Sequence, residues 1–248
     1  LPVPVDAHGL PVDEQLDGAD IVFVTPSHQA PTTVTMPKAR RQELLARAGE
    51  KDFVIIEDDY EWETNYVSEP TPALKSMDTA GRVIYVGSLS KTLFPGLRLG
   101  YLVGPAPLIK EARALRRLML RHAPNNNQRT AALFLALGHH DSLVHKLQKA
   151  YRERWKIMGQ ALADHLPGWS KAPTFGGTSY WVSGPDGFDA GKLADRALDD
   201  GVIIEPGRVN FAQSRPPRNH FRLGFSSIVA ERIEPGIRLL ADIVKRDF

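Results

Sequence analysis

An α/β fold is predicted, with a mainly parallel sheet flanked by helices on both faces and a smaller α+β unit at its C-terminal end. Three observations predict it. First, short apolar runs end in polar clusters: Ile21-Val22-Phe23-Val24 before Thr25-Pro26-Ser27-His28, Phe53-Val54-Ile55-Ile56 before Glu57-Asp58-Asp59-Tyr60, and Val83-Ile84-Tyr85-Val86 before Ser88-Leu89-Ser90-Lys91. Unbroken apolar runs of this kind suit strands covered on both faces, as in parallel sheets. Second, helical patterns alternate with the strands, the rhythm of βαβ units. Third, from Leu166-Pro167-Gly168 onward the pattern changes to glycine-bounded strands mixed with helices.

Taken in order, the first strand is Ile21 to Val24. Met36 to Ala48 reads as a helix, with Pro37 near its start and Leu44, Leu45 and Ala48 on one side. The strand ending at Glu57-Asp58 follows, then a loop carrying Pro70, Pro72 and Leu74-Lys75. Arg82 to Val86 is the next strand, and Leu99 to Gly104 another. Pro105 and Pro107 introduce a helix from Leu108 to His122, and residues 108–166 read as almost wholly helical with a break near Ala123 to Asn127. The basic residues of this stretch, Lys110 to Arg121 and Lys146 to Lys156, are interleaved with leucines and read as a solvated face.

Beyond Gly168, Gly176 to Val182 is a strand after a glycine turn, Phe188 to Asp200 a helix ended by Gly201, and Val202 to Glu205 and His220 to Phe225 further strands. Ile228 to Val244 is an amphipathic helix. Alternation puts Tyr180 and Trp181 on opposite faces of their strand, and Trp181 is assigned to the core. Pro206 to Asn219 is a long polar loop, and Arg208 and Arg215 in it are expected to shape ligand specificity.

Composition narrows the function classes. With 248 residues and 42% hydrophobic content, the chain has ample material for a large core. It has no cysteine, so disulfides and thiolate metal sites are excluded. No apolar run approaches the ~18 residues of a membrane span and no signal peptide is visible, so a cytoplasmic location is expected. The 31 basic and 29 acidic residues nearly balance, which is not the footprint of a nucleic-acid-binding surface.

The chemistry is concentrated at the strand ends, where ligands bind in sheets of this type. Ser88 to Gly100 places two serines, Lys91 and Arg98 just after a strand. A lysine that condenses with an aldehyde needs hydroxyls and an arginine beside it when that aldehyde carries a phosphate, and pyridoxal phosphate is such an aldehyde. One strand earlier, a carboxylate after the apolar run is placed to pair with a pyridine nitrogen, and a tyrosine beyond it with the ring's 3-oxygen. Alone, Glu57-Asp58-Asp59 also suits a surface turn or a metal-binding pair, but the second wants another aspartate at a later strand end, and none stands there.

Thr25-Pro26-Ser27-His28-Gln29, Glu57-Asp58-Asp59-Tyr60, Ser88-Leu89-Ser90-Lys91 through Gly100, and Phe221-Arg222-Leu223-Gly224-Phe225 together resemble the fold-type I aminotransferase family. More narrowly, they are similar to the aminotransferase-like domain of MocR-type regulators in the GntR superfamily, over nearly the whole chain from about residue 5. The Pro-Ser-His-Gln and Glu-Asp-Asp-Tyr variants point to that regulator branch. The resemblance implies that Lys91 forms the Schiff base with pyridoxal phosphate and that Ser88, Ser90 and Arg98 contact the phosphate, the guanidinium being suited to bind it in two-pronged fashion. It also implies that Asp58 pairs with the ring nitrogen, Tyr60 with the 3-oxygen, His28 lies near the ring, and Arg222 binds an anionic group of an amino-compound effector or substrate.

The same resemblance implies a symmetric homodimer, and DNA binding only through an N-terminal winged-helix domain outside this sequence. It divides the chain into residues 1–122 of the large cofactor-binding domain, linking helices over 123–165 and a small domain over 166–248. Two departures stand out. Thr32-Thr33 replaces the usual Thr-Gly, and the glycine-bearing phosphate loop and ring-stacking aromatic of the family have no counterpart here, so the chain reads as an N-terminally truncated fragment. Two functions follow from the resemblance: an effector-sensing and dimerisation domain of a transcriptional regulator, or an aminotransferase acting on an amino acid and a 2-oxo acid.

Overall fold

The computed structural model describes residues 1–171, 173 and 175–248. Its N-terminal part is a four-stranded sheet in the order β1 (Ile21–Val24), β2 (Val54–Asp58), β3 (Val83–Ser88) and β4 (Gly100–Val103). β1, β2 and β3 run parallel, and β4 returns antiparallel beside β3. Val22, Val24, Phe53, Ile55 and Val83 are buried on one face with Leu44 and Ala48 of α1 (Lys38–Lys51) and with Leu74 of the short α2 (Leu74–Met77). Ile21 and Phe23 on the other face are 59% and 61% exposed, and every residue of β4 is exposed.

The helical stretch has three members: α3 (Ala106–Met119), α4 (Asn125–Ala136) and α5 (His139–His165). The sequence pattern marks the first break and misses the second, where Leu137 caps α4 and Gly138 takes φ +73°. A left-handed residue cannot continue a right-handed helix, and glycine takes that conformation without the steric cost a side chain brings. None of the residues of α3 is buried, and Leu115, Leu118, Leu120, Leu133, Leu135 and Leu137 are all exposed. The leucines interleaved with the basic residues therefore form no core within this chain.

The C-terminal unit is a three-stranded antiparallel sheet, with β7 (His220–Gly224) between β5 (Ser179–Ser183) and β6 (Glu205–Pro206). Tyr180, Val182, Phe221 and Leu223 point into a core built with Met158, Ala161 and Leu162 of α5, Leu193 of α6 (Ala190–Asp199) and Ile237 and Leu240 of α7 (Ile233–Asp247). The α7 helix begins later than its apolar pattern suggests, after a 3-10 turn at Ala230–Arg232. The expected strand at Val202–Glu205 shrinks to Glu205–Pro206. Gly201 N–H bonds Leu198 O and Val202 N–H bonds Ala197 O, so residues 201–202 close helix α6 and leave the sheet unpaired there.

Alternation along β5 holds, but the assignment of its two aromatics is reversed. Tyr180 is 1% exposed in the core and donates to Trp155 O at 2.9 Å. Trp181 lies on the opposite face, half-buried, with its ring stacked on His220 at 5.5 Å. Apolar character alone does not choose between neighbours; the face that α5 and α7 cover does.

Candidate cofactor and effector site

The loop after β3 is fixed by its own backbone. Leu89 N–H bonds Leu99 O at 3.0 Å, Ser90 Oγ accepts from Leu99 N–H at 3.0 Å and donates to Leu99 O at 3.2 Å, and Asn127 of α4 donates to Leu97 O at 2.9 Å. A 3-10 turn at Pro95–Leu97 ends on Arg98 at φ +51°. The loop thus forms a hoop closed at its base, with Lys91 and Arg98 on its exposed rim.

That rim borders a cavity of about 590 Å³. Ser88, Ser90, Lys91, Thr92 and Arg98 line one side, Glu61, Glu63 and Thr64 another, and Thr178, Arg222 and Ser226 a third. Val144, Leu147, Gln148 and Tyr151, spaced as one face of α5, complete the wall. Gln148 donates to Glu63 O and Asn65 O, and Arg152 to Tyr66 O, so α5 is tied to the segment after β2. Among the described residues, Ser88 has no side-chain hydrogen bond, and neither Lys91 nor Arg98 has a side-chain hydrogen bond or an ion pair.

The three carboxylates ending β2 have separate fates. Glu57 is fully buried, accepts from Leu74 N–H (2.7 Å) and Lys75 N–H (2.8 Å), and lies 3.9 Å from buried Arg41. Burial pushes its pKa up, opposed by those two N–H groups. Asp59 shares the buried side: it accepts from Tyr85 Oη at 3.3 Å, and burial raises its pKa against the pull of Ser27 and Arg41. Asp58, on the other side of the strand, is half-buried with no hydrogen-bond partner among the described residues. Burial and then the neighbouring Asp59 push its pKa up, while the charge of Lys91 opposes them. No group of three or more metal-ligating side chains occurs among the described residues.

Tyr60 and His28 lie behind the residues that line the cavity. Lys91 Nζ lies 5.4 Å from the centre of the Tyr60 ring, whose hydroxyl donates to His28 O at 3.2 Å. The His28 ring is 3% exposed, edge-on to Tyr60 at 6.4 Å, and its Nε2 lies 3.5 Å from Glu61 Oε2. Burial drives its pKa down; Glu61 opposes this, and Arg222 and Lys91 add to it. Gly177 packs directly on that ring at φ +66°, and a Cβ there would come within 2.3 Å of it. His28 is thus a buried packing residue behind the cavity, not part of its lining.

Arg222 stands on the non-core face of β7, opposite Trp181 and Glu205 in the strand register. Its Nε donates to buried Ser179 Oγ at 3.0 Å and its Nη1 to Glu205 Oε2 at 3.0 Å. The fold therefore brings Ser88, Ser90, Lys91, Arg98 and Arg222 to one cavity, with Asp58 and Tyr60 beside Lys91 and His28 behind them. Sequence reading missed Glu61, Gln148 and Tyr151; the i, i+3, i+4, i+7 spacing of 144, 147, 148 and 151 was the available signal for the last two. Arg208 and Arg215 do not line the cavity. Thr33, where the glycine turn is replaced, takes φ +64°.

The family model for aminotransferase class I and II matches residues 11–238. The chain belongs to that family. This family member is 49% identical over 242 residues to the HTH-type transcriptional regulator TauR of Rhodobacter capsulatus, covering 97% of this chain and 50% of the regulator. It is 32% identical over 258 residues to aromatic-amino-acid aminotransferase 1 of Thermococcus litoralis, covering 99% of this chain and 61% of the enzyme. The crystal structure of Pyrococcus horikoshii kynurenine aminotransferase in complex with PMP superposes with a TM-score of 0.91 at 32% identity, over 99% of this chain and 63% of the other. The chain thus spans between half and two thirds of the length of these relatives. No described helix is long and apolar enough to cross a membrane.

The residues present fit pyridoxal phosphate. Lys91 and Arg98, without a hydrogen bond or ion pair among the described residues, together with the Ser88 hydroxyl supply the donors and charge a phosphate requires, and Asp58 near Lys91 is a carboxylate without a side-chain hydrogen bond among the described residues. Ser90 spends its proton on Leu99 O, so it shapes the loop as much as it faces the cavity.

Proposed function

We propose that this chain is the cofactor-binding and effector-sensing part of a MocR-type transcriptional regulator, with pyridoxal phosphate held at Lys91 and an amino compound as effector. The observation that carries the reading is the convergence of Lys91, Ser88, Arg98 and Arg222 on one cavity. The 49% identity to a transcriptional regulator over nearly the whole chain favours regulation over catalysis. When bound, the cofactor supplies an aldehyde that condenses with amines and a ring that withdraws electrons.

In this reading, Lys91 holds the cofactor, and Ser88 and Arg98 bind its phosphate, with Ser90 fixing the loop that presents them. Asp58, a carboxylate without a side-chain partner among the described residues, would pair with the pyridine nitrogen. Tyr60, whose ring lies 5.4 Å from Lys91 Nζ, would pair with the 3-oxygen, while the His28 carbonyl fixes the Tyr60 hydroxyl. Arg222 takes the anionic end of the effector. Residues 1–122 serve as the remainder of the large domain, 123–165 as its linking helices and 166–248 as the small domain, and the whole protein acts as a cytoplasmic homodimer that reaches DNA through a further domain. Binding of an effector amine in the cavity would shift the balance between two domain arrangements and so operator affinity.

The test uses the full-length parent protein loaded with pyridoxal phosphate. Amino compounds are titrated while bound-cofactor absorbance and affinity for upstream DNA are followed together. Coupled changes, abolished in Lys91→Ala, support the regulator. The alternative, a working aminotransferase, is supported by the 32% identity to an aminotransferase over 99% of the chain. Sustained turnover of an amino acid with a 2-oxo acid and no change in DNA affinity would replace the first reading by this one.

A further inference from the structure

The cations of the cavity are not equivalent. Lys91 and Arg98 have no side-chain hydrogen bond or ion pair among the described residues, whereas Arg222 enters the cavity with two of its three nitrogens already engaged. A guanidinium has five N–H donors. Nε is spent on Ser179, which is 2% exposed, and one Nη1 proton on Glu205. Among the described residues, Nη2 and the second Nη1 proton are left for a ligand. The Nε–Nη2 edge cannot offer two parallel N–H bonds, because Nε is taken.

Glu205 is also a charge. It stands directly across from Arg222 in the β6–β7 ladder, 3.0 Å from its Nη1, with its own side chain 58% exposed. The backbone register places the two residues directly opposite one another on neighbouring strands. Resting on the reading of the cavity as an amino-compound site, we propose that Glu205 is a positioning and specificity residue: a built-in competitor that partly neutralises Arg222 and sets how strongly the site favours ligands carrying an anion. An incoming carboxylate must share Arg222 with Glu205 and accept its repulsion; an amine without an anion is indifferent to it. Ser179 fixes which edge of the guanidinium remains open.

The experiment uses full-length protein loaded with pyridoxal phosphate, as wild type, Glu205→Gln and Glu205→Asp. Each is titrated with glycine, β-alanine and γ-aminobutyrate, and with methylamine, ethylamine and n-propylamine, the same amines without the carboxylate. The readout is the ratio of amino-acid to amine Kd, from the absorbance change of the bound cofactor. Glu205→Gln is expected to tighten amino-acid binding about two- to fivefold, as suits an ion pair at an exposed site, with amine binding unchanged. Glu205→Asp is expected to keep the wild-type ratio. A ratio in Glu205→Gln that is unchanged or moved toward the amines, or equal changes for both series, would overturn the inference. If none of the six compounds perturbs the wild-type spectrum, the amino-compound reading of the cavity itself falls, and the inference with it.

Discussion

Arg98 and Arg222 border the same cavity, yet they reach it by different means. Arg98 is carried on a loop whose shape comes from backbone bonds and a left-handed residue, and its guanidinium has no partner among the described residues. Arg222 is carried on the central strand of the small sheet, with a core residue on either side of it and two side-chain partners. A loop can present a charge without compensating it, leaving the full charge for a ligand. A strand surrounded by side chains places the charge accurately but shares it with its neighbours.

The largest expected effect removes the support beneath Arg222. Phe221→Ala empties a fully buried position in the small-sheet core and is expected to cost about 3–5 kcal/mol by urea unfolding. Gly177→Ala is next, at about 1–3 kcal/mol, because the site requires φ +66° and the space holds the His28 ring. Ser90→Ala should cost about 1 kcal/mol, since it removes both bonds to Leu99, and should loosen the loop that carries Lys91 and Arg98. If Ser90→Ala proved as costly as Phe221→Ala, the contrast between a locally built loop and a packed strand would fail.

His28 gives a pH prediction. Its pKa is lowered in the folded chain from the ordinary 6.5. Below about pH 6.5 the unfolded chain binds a proton that the folded chain refuses, so its contribution to stability, present above that pH, is lost as pH falls toward the folded value. Asp58, Asp59 and Glu57, whose pKa values are raised, act in the opposite direction at lower pH. The difference in unfolding free energy between wild type and His28→Gln should therefore shrink from about pH 7.5 to about pH 5.5. A constant difference would mean that His28 does not titrate in this window. The smallest effect is expected at the other face of the large sheet: Phe23→Ser in this chain should change stability by no more than about 0.5 kcal/mol, because Phe23 is 61% exposed.

The strands and the lysine loop were legible because period and punctuation are local properties: apolar runs, then glycine, proline or polar clusters. The run Glu57-Asp58-Asp59 announced a site, and the family resemblance implied Asp58 for it, but spacing alone did not say which of the three carboxylates is left without partners. Strand alternation separates Asp58 from the other two; the 74–75 backbone and Arg41 engage Glu57, and Ser27 and Tyr85 engage Asp59. Tyr180 and Trp181 were separable as opposite faces and not as core and surface, for the same reason. The break at Gly138 was missed because a single glycine inside an apolar helical pattern does not by itself end a helix.

The sequence by itself determined the alternation of strands and helices, the balanced charge, and the presence of a lysine, serines and arginines at strand ends, because each depends only on residue type and spacing along the chain. The family resemblance implied that Arg222 serves the ligand held near Lys91, but tertiary structure alone decided that Arg222, from β7, reaches the cavity from the non-core face of the small sheet, that Glu61 and one face of α5 join it, and that Glu205 shares Arg222. Those residues lie far apart in sequence. They meet only because β7 packs its apolar face on α5 and α7, which leaves Arg222 on the side that faces the lysine loop.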